Sequence, residues 1–98
     1  MRTIAHWVDG KYYEGNPVGR FAVENPGTGE VEAELLQASD ADLDHAVEVA
    51  RRAQKEWAKV SLAKRTAIMF RMRQLVLDHQ DEMAKMIVAE HGKNYSDA

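Results

Sequence analysis

A glycine-rich stretch at residues 25–31, NPGTGEV, most constrains how this chain folds. Such a stretch forms either a phosphate-binding loop or a turn between strands. A phosphate loop must follow a strand and open a helix, because the amides at the helix N-terminus bind the anion. The residues after the glycines instead keep the two-residue period of a β-strand, with apolar side chains at Val31, Ala33 and Leu35.

The residues before the stretch alternate in the same way, since Phe21 and Val23 share one face of the segment 20–24. The pattern therefore favours a hairpin turn over a phosphate loop. In that turn Gly27 and Gly29 are free to take positive φ, because neither has a Cβ.

A second hairpin is predicted at the N-terminus. Asp9-Gly10 lies between residues rich in β-branched and aromatic side chains, which is a strong signal for a two-residue hairpin turn. We predict strands over Ile4–Val8 and Lys11–Tyr13. Residues 1–38 are therefore interpreted as a β-hairpin region.

Residues 39–98 are predicted to be helical. Ser39 is a typical N-cap, and Asp42 stands three residues later, where a capping box places its acid. Ser61 is a second N-cap, and Gly92 stands where a helix C-terminus favours glycine. The apolar periodicity predicts three helices, at about 40–59, at 63–77 and from about 82 to 91.

The second helix is apolar on two sides, because Ile68 and Met72 share one face while Phe70 and Leu77 lie nearly opposite. A helix of this kind is normally buried on two sides. The other elements of a 98-residue chain are too few to cover both. We therefore expect the chain to be a piece of something larger. The four helical methionines are predicted to pack in a core, and the alternative is a face that meets a partner: Met69, Met72, Met83 and Met86.

Composition excludes several classes of function. The formal net charge is −3, which argues against nucleic acid as a partner, and the absence of cysteine excludes a disulfide framework and a thiol nucleophile within these residues. No apolar run approaches a membrane span, and no signal peptide is recognised. The expected location is the cytoplasm.

The sequence predicts no catalytic, cofactor-binding or metal-binding residue. No two of the four histidines have the spacing of a helical metal site. The acidic residues are interpreted as helix-start residues or as the outer face of a strand. Ser39 and Ser61 have a capping role, and no histidine–acid partner is suggested near them, which makes the interpretation as a nucleophile weak. The histidines are His6, His45, His79 and His91, and the acidic residues are Asp40, Asp42, Asp44, Glu32, Glu34, Asp81 and Glu82.

The ordered motifs resemble the N-terminus of the aldehyde dehydrogenase superfamily over essentially all 98 residues. They are HWVDGK at 6–11, NPGTGEV at 25–31, the helix beginning at Asp42 and ending at Trp57, and EHGK at 90–93. Within the superfamily, the details are most similar to the CoA-acylating methylmalonate-semialdehyde dehydrogenases. Asn94 follows Gly92-Lys93, where a succinate-semialdehyde or betaine-aldehyde relative would more often carry proline. Gly27 is a departure, since alanine is usual there.

The resemblance implies an α+β fragment: antiparallel β-hairpins and about three α-helices at the periphery of the NAD-binding domain, with residues 1–98 as that domain's N-terminal segment. It also implies a whole enzyme that uses NAD and CoA to convert methylmalonate or malonate semialdehyde to propionyl-CoA or acetyl-CoA with loss of carbon dioxide. The implied partners are the remainder of the parent enzyme and further copies of it. This stretch alone is expected to bind no cofactor and to be inactive.

A second hypothesis is a truncated, non-catalytic paralogue that acts as a protein-interaction module.

Overall fold

The computed structural model describes residues 1–98 and contains five short strands followed by three helices. This confirms the predicted α+β class. The chain divides into two compact units, one formed by residues 1–24 and 31–58, the other by 25–30 and 59–98. The elements are β1 (Arg2–Ile4), β2 (His6–Val8), β3 (Lys11–Tyr13), β4 (Gly19–Glu24), β5 (Val31–Gln37), α1 (Asp40–Trp57), α2 (Leu62–Asp78) and α3 (Gln80–His91).

The first unit contains a three-stranded sheet with β5 in its centre, in the order β1-β5-β4. β4 and β5 are antiparallel, with Val23 opposite Ala33, as the hairpin prediction requires. β1 adds a parallel pair, with Ile4 opposite Leu35, which the sequence did not predict. Ala33 and Leu36 are buried, and they lie on opposite faces of β5 because successive side chains of a strand alternate. Both faces of the central strand are therefore partly covered.

The first hairpin is a separate two-stranded sheet formed by β2 and β3. The prediction of one strand over Ile4–Val8 was wrong, because Ile4 pairs in the other sheet and β2 begins at His6, opposite Tyr13. Alternation alone does not show where consecutive strands change sheets. The predicted turn is confirmed, since Asp9 and Gly10 have φ of 57° and 73°, as a type I′ turn requires.

The helix caps largely follow the sequence. Ser39 accepts a hydrogen bond from the Asp42 amide, and the Asp42 carboxylate accepts one from the Ser39 amide, which completes a capping box. Ser61 caps α2 through the Lys64 amide. Helix α1 ends at Trp57, two residues before the predicted end, since Ala58 already acts as its C-cap.

The second unit joins α2, α3 and the NPGTGE turn. α3 ends at Gly92, whose φ of 72° is left-handed, as predicted. A Cβ at this position would lie 3.1 Å from Cγ of Pro26, so the turn lies against the end of α3. Within the turn, Gly29 has positive φ (76°), whereas Gly27 does not and instead donates its amide to Oδ1 of Asn25.

Few apolar side chains are buried. They are Ala33, Leu36 and Ala84. No residue of α2 is buried, and Phe70 on one side is 67% exposed while Ile68 on the other is 48% exposed. The prediction that the helical methionines pack in a core is wrong for residues 1–98, because the four are between 42% and 58% exposed. The periodicity of the methionines correctly indicated an apolar helix face. It did not show that no other part of residues 1–98 covers that face.

Candidate functional site

The NPGTGE turn is built as a hairpin corner and not as an anion site. The Asn25 amide donates to the carbonyl of Glu30 (2.9 Å), and the Gly29 amide donates to the carbonyl of Asn25 (2.7 Å). The chain then enters β5 at Val31. The amides of Asn25 and Gly29 are therefore used within the turn, and no helix N-terminus follows that could bind a phosphate.

The N-termini of the three helices do not fit the pyrophosphate of a dinucleotide either. The first turn of α1 carries Asp40 and Asp42, and the first turn of α3 carries Asp81 and Glu82. These carboxylates already occupy the positive end of each helix dipole. At α2, the Ser61 hydroxyl takes up one of the amides that a phosphate would need. At each of the three helices a carboxylate or a hydroxyl therefore competes with a phosphate for the N-terminal amides.

The most developed polar cluster surrounds Asp42, which is only 3% exposed. Its carboxylate accepts hydrogen bonds from the Tyr13 hydroxyl (3.3 Å), the Asn16 amide (3.0 and 3.2 Å to the two oxygens) and the Ser39 amide (3.0 Å). Gly15 has a φ of 61°, and a Cβ there would lie 2.2 Å from Oδ1 of Asp42. The cluster requires glycine at this position both for its backbone conformation and for the space it leaves.

Hydrogen bonding shifts the pKa of Asp42, and desolvation is the main cause of the shift at Tyr13. The pKa of Asp42 is lowered, first by the Asn16 amide and then by the Ser39 amide, because both stabilise the charged form. The pKa of Tyr13 is raised, first by desolvation and then by the nearby Asp42 charge. The Asp42 carboxyl is therefore ionised near neutral pH. In this form it accepts hydrogen bonds and has no proton to donate.

A second, exposed cluster lies at the start of α3. The Tyr95 hydroxyl donates to Oδ1 of Asp81 (2.5 Å), and Nζ of Lys85 lies 3.0 Å from the other carboxylate oxygen. The Tyr95 hydrogen bond, followed by Lys85, lowers the pKa of Asp81, and the same contact raises the pKa of Tyr95. Exposed pairs of this kind contribute little to stability. We interpret the cluster as surface contacts that hold residues 94–98 near α3.

The four histidines lie in different places. His6 is in β2, where Nε2 is buried without a hydrogen-bond partner. His45 lies on α1 against the ring of Tyr13, with ring centroids 5.0 Å apart. His79 separates α2 from α3, with Nδ1 3.0 Å from Glu82, and His91 ends α3. No group of three or more metal-ligating side chains comes together among residues 1–98.

The acidic residues considered from the sequence have varied surroundings. Asp42 and Asp81 form the two clusters, and Glu34 pairs with Arg20 across β4 and β5 (3.1 Å). The sequence did not predict the contacts of Asp42 with residues 13–16, which are distant along the chain. Gly15 is the one residue in the sequence that could have indicated these contacts. Its positive φ, however, is visible only in the structure. None of the three helices is long and apolar enough to cross a bilayer.

The comparison with known proteins places residues 12–98 in a match to the aldehyde dehydrogenase family. Malonate-semialdehyde dehydrogenase 2 of Oceanobacillus iheyensis is 38% identical over the whole chain, and malonate-semialdehyde dehydrogenase 1 of Geobacillus thermodenitrificans is 36% identical over the same residues. The chain spans 20% of the length of each of these relatives.

Solved structures agree with this result. A protein of Sinorhizobium meliloti 1021, assigned as a methylmalonate-semialdehyde dehydrogenase and solved in complex with NAD, superposes with a TM-score of 0.95. It is 39% identical, and the match covers 99% of this chain and 20% of that one. An NAD-dependent benzaldehyde dehydrogenase of Corynebacterium glutamicum gives a TM-score of 0.89 at 38% identity, over 94% of this chain and 20% of its own. The chain therefore belongs to the aldehyde dehydrogenase family.

Proposed function

We propose that this chain forms the N-terminal part of the NAD-binding domain of an NAD-dependent, CoA-acylating malonate- or methylmalonate-semialdehyde dehydrogenase. The observation that carries the proposal is that this chain matches malonate-semialdehyde dehydrogenases over its own whole length, at 36–38% identity. The superposition on a methylmalonate-semialdehyde dehydrogenase supports the same substrate class.

The proposed whole enzyme oxidises the semialdehyde, releases carbon dioxide and transfers the acyl group to CoA. When bound, NAD accepts the hydride. A cysteine thiolate is the expected nucleophile of such an enzyme, and residues 1–98 contain no cysteine. We therefore assign no catalytic or cofactor-binding role to any residue of this chain.

The proposed role of residues 1–98 is structural. No residue of α2 is buried, and the exposed fractions of its large apolar residues lie between 41% and 81%. Exposed apolar surface of this extent marks a surface that contacts other protein. We propose that the remainder of the parent enzyme covers α2, and that the assembled enzyme is a homo-oligomer.

Titration calorimetry with NAD tests whether the 98-residue chain binds the cofactor by itself. The 98-residue chain is expected to give no heat of binding at micromolar to millimolar NAD. Clear micromolar binding would contradict the assignment of a structural role.

Activity of the longer gene product tests the substrate class. A product that continues beyond Ala98 should form NADH from malonate or methylmalonate semialdehyde in a CoA-dependent reaction. Benzaldehyde is the matched comparison, because a benzaldehyde dehydrogenase shares this fold segment. A preference for benzaldehyde, or NADH formation independent of CoA, would contradict the proposal. A gene that stops after residue 98 and yields a stable short product would instead support the protein-interaction module.

A further inference from the structure

Residues 6–18 comprise the β2–β3 hairpin and the segment 14–18, which we call the strap. The hairpin is a two-stranded sheet of its own, with no ladder to the three-stranded sheet. A hairpin of two strands is marginally stable in water. Its aromatic pair is mostly exposed, since Trp7 is 67% and Tyr12 79% accessible. Other contacts must therefore hold these residues in place.

Helix α1 supplies hydrogen bonds to these residues through the side chain of Asp42. The carboxylate of Asp42 accepts the Tyr13 hydroxyl at the end of the hairpin and the Asn16 amide within the strap. Hydrogen bonds to an ionised acceptor are stronger than those between neutral groups. The Tyr13 ring also lies against His45, one turn further along α1. Gly15 lets the strap approach the carboxylate more closely than any side chain would allow.

We propose that the Asp42 carboxylate is the anchor of a local folding unit: it holds residues 6–16 on helix α1, and these residues open together when its charge is removed. Helix α1 and the three-stranded sheet remain folded in the open form. The Val18 amide donates to the carbonyl of Gln37 at the end of β5 (3.0 Å), so the sheet holds Val18 and the unit ends before it. Ser39 still caps α1 through the Asp42 amide, which does not depend on the carboxylate. The groups that face the carboxylate are the Tyr13 hydroxyl and the amides of Asn16 and Ser39, with His45 behind the Tyr13 ring.

Amide hydrogen exchange of the 98-residue chain tests the proposal at neutral pH. In Asp42→Asn, the amides of residues 6–16 should exchange about tenfold faster or more, the change expected from losing a hydrogen bond to a charged group. The matched control is Asp40→Asn, which removes the same charge from the same helix turn at an exposed position. In this control the exchange of residues 6–16 should stay within about twofold of the parent chain.

A second variant keeps the test decisive if Asp42→Asn does not fold. Tyr13→Phe removes one hydrogen bond to the carboxylate and keeps the ring that contacts His45. It should accelerate exchange about three- to tenfold, and only within residues 6–16. Unchanged exchange in Tyr13→Phe would overturn the proposal. So would an acceleration in Asp42→Asn that spreads equally over β5 and the centre of α1, because it would indicate global unfolding instead of a local unit.

Discussion

Replacement of Gly15 by alanine tests whether the strap needs a glycine beside the Asp42 carboxylate. Gly15 has a φ of 61°, and an added Cβ would lie 2.2, 2.5 and 2.8 Å from Oδ1, Cγ and Oδ2 of Asp42. Gly10 is the matched control, because its φ is 73° and a Cβ there meets nothing within 4 Å. The two substitutions share the backbone cost and differ in the steric clash.

The expected magnitudes follow from these contacts. A left-handed conformation costs an alanine about 1–2 kcal/mol, and the lower entropy of the unfolded chain offsets about 0.4–1 kcal/mol of this. Gly10→Ala should therefore lower the free energy of unfolding by about 1 kcal/mol. In Gly15→Ala the carboxylate must also move away, so the Asn16 amide loses its acceptor, and an unpaired amide adds about 1 kcal/mol or more.

Thermal and urea unfolding, followed by circular dichroism, measure the difference. For a domain of this size, 1 kcal/mol corresponds to a shift of about 4–8 °C in Tm. Gly10→Ala should lower Tm by about this amount, and Gly15→Ala by about twice as much. Gly29→Ala is a second control, because its φ is 76° and its Cβ would also be in open space.

A double substitution provides the strictest check. In an Asp42→Ala background the clashing carboxylate is absent, so the additional Gly15→Ala should cost no more than Gly10→Ala does in the parent chain. Equal Tm losses for Gly15→Ala and Gly10→Ala, or an undiminished Gly15→Ala penalty in the Asp42→Ala background, would refute the steric account of the pocket.

Four further predictions concern other elements. Ser39→Ala should destabilise α1 by about 1 kcal/mol in urea unfolding, because the capping box loses its hydroxyl acceptor. Gly92→Ala should be destabilising by about 1 kcal/mol or more, since it combines positive φ with a Cβ 3.1 Å from Pro26, and Pro26→Ala should reduce that penalty. The pKa of Asp42 is lowered in the folded state. Its contribution to stability is therefore complete above the ordinary carboxyl pKa range and is lost as the pH falls through the folded-state pKa. The chemical shift of the Asn16 amide in NMR will follow this titration. The isolated chain should self-associate at high concentration, as measured by light scattering. Phe70→Glu should weaken this association, because the Phe70 side chain is 67% exposed on an apolar face. A monomeric parent chain would contradict the prediction.

The sequence predicted the features that depend on neighbouring residues. Asp9-Gly10, Ser39, Ser61 and Gly92 each act through backbone groups within four positions, so their local pattern was sufficient. The change of period after the NPGTGE turn distinguished a strand from a helix for the same reason. The absence of a recognisable chemical motif in residues 1–98 also led to the assignment of a structural role, which stays a prediction.

Features that join distant residues were not predictable in this way. The parallel pairing of Ile4 with Leu35 leaves no mark in the alternation of either strand. Asp42 was recognised as a capping acid, but its contacts with Tyr13 and Asn16 depend on how the loop returns to α1. The exposure of the methionines depends on what covers α2 and α3, which the periodicity of the helices does not specify.

The position of β1 has a consequence for the order of folding. β4 and β5 are joined by a short turn, so their pairing requires closure of a small loop, whereas Arg2 must find Ala33 across the whole intervening chain. During synthesis the residues of β1 therefore wait until β5 has emerged from the ribosome before they can pair. Until then β5 has an open edge, to which a strand of another nascent chain can add. β1 thus closes the edge at which intermolecular strand pairing would otherwise begin.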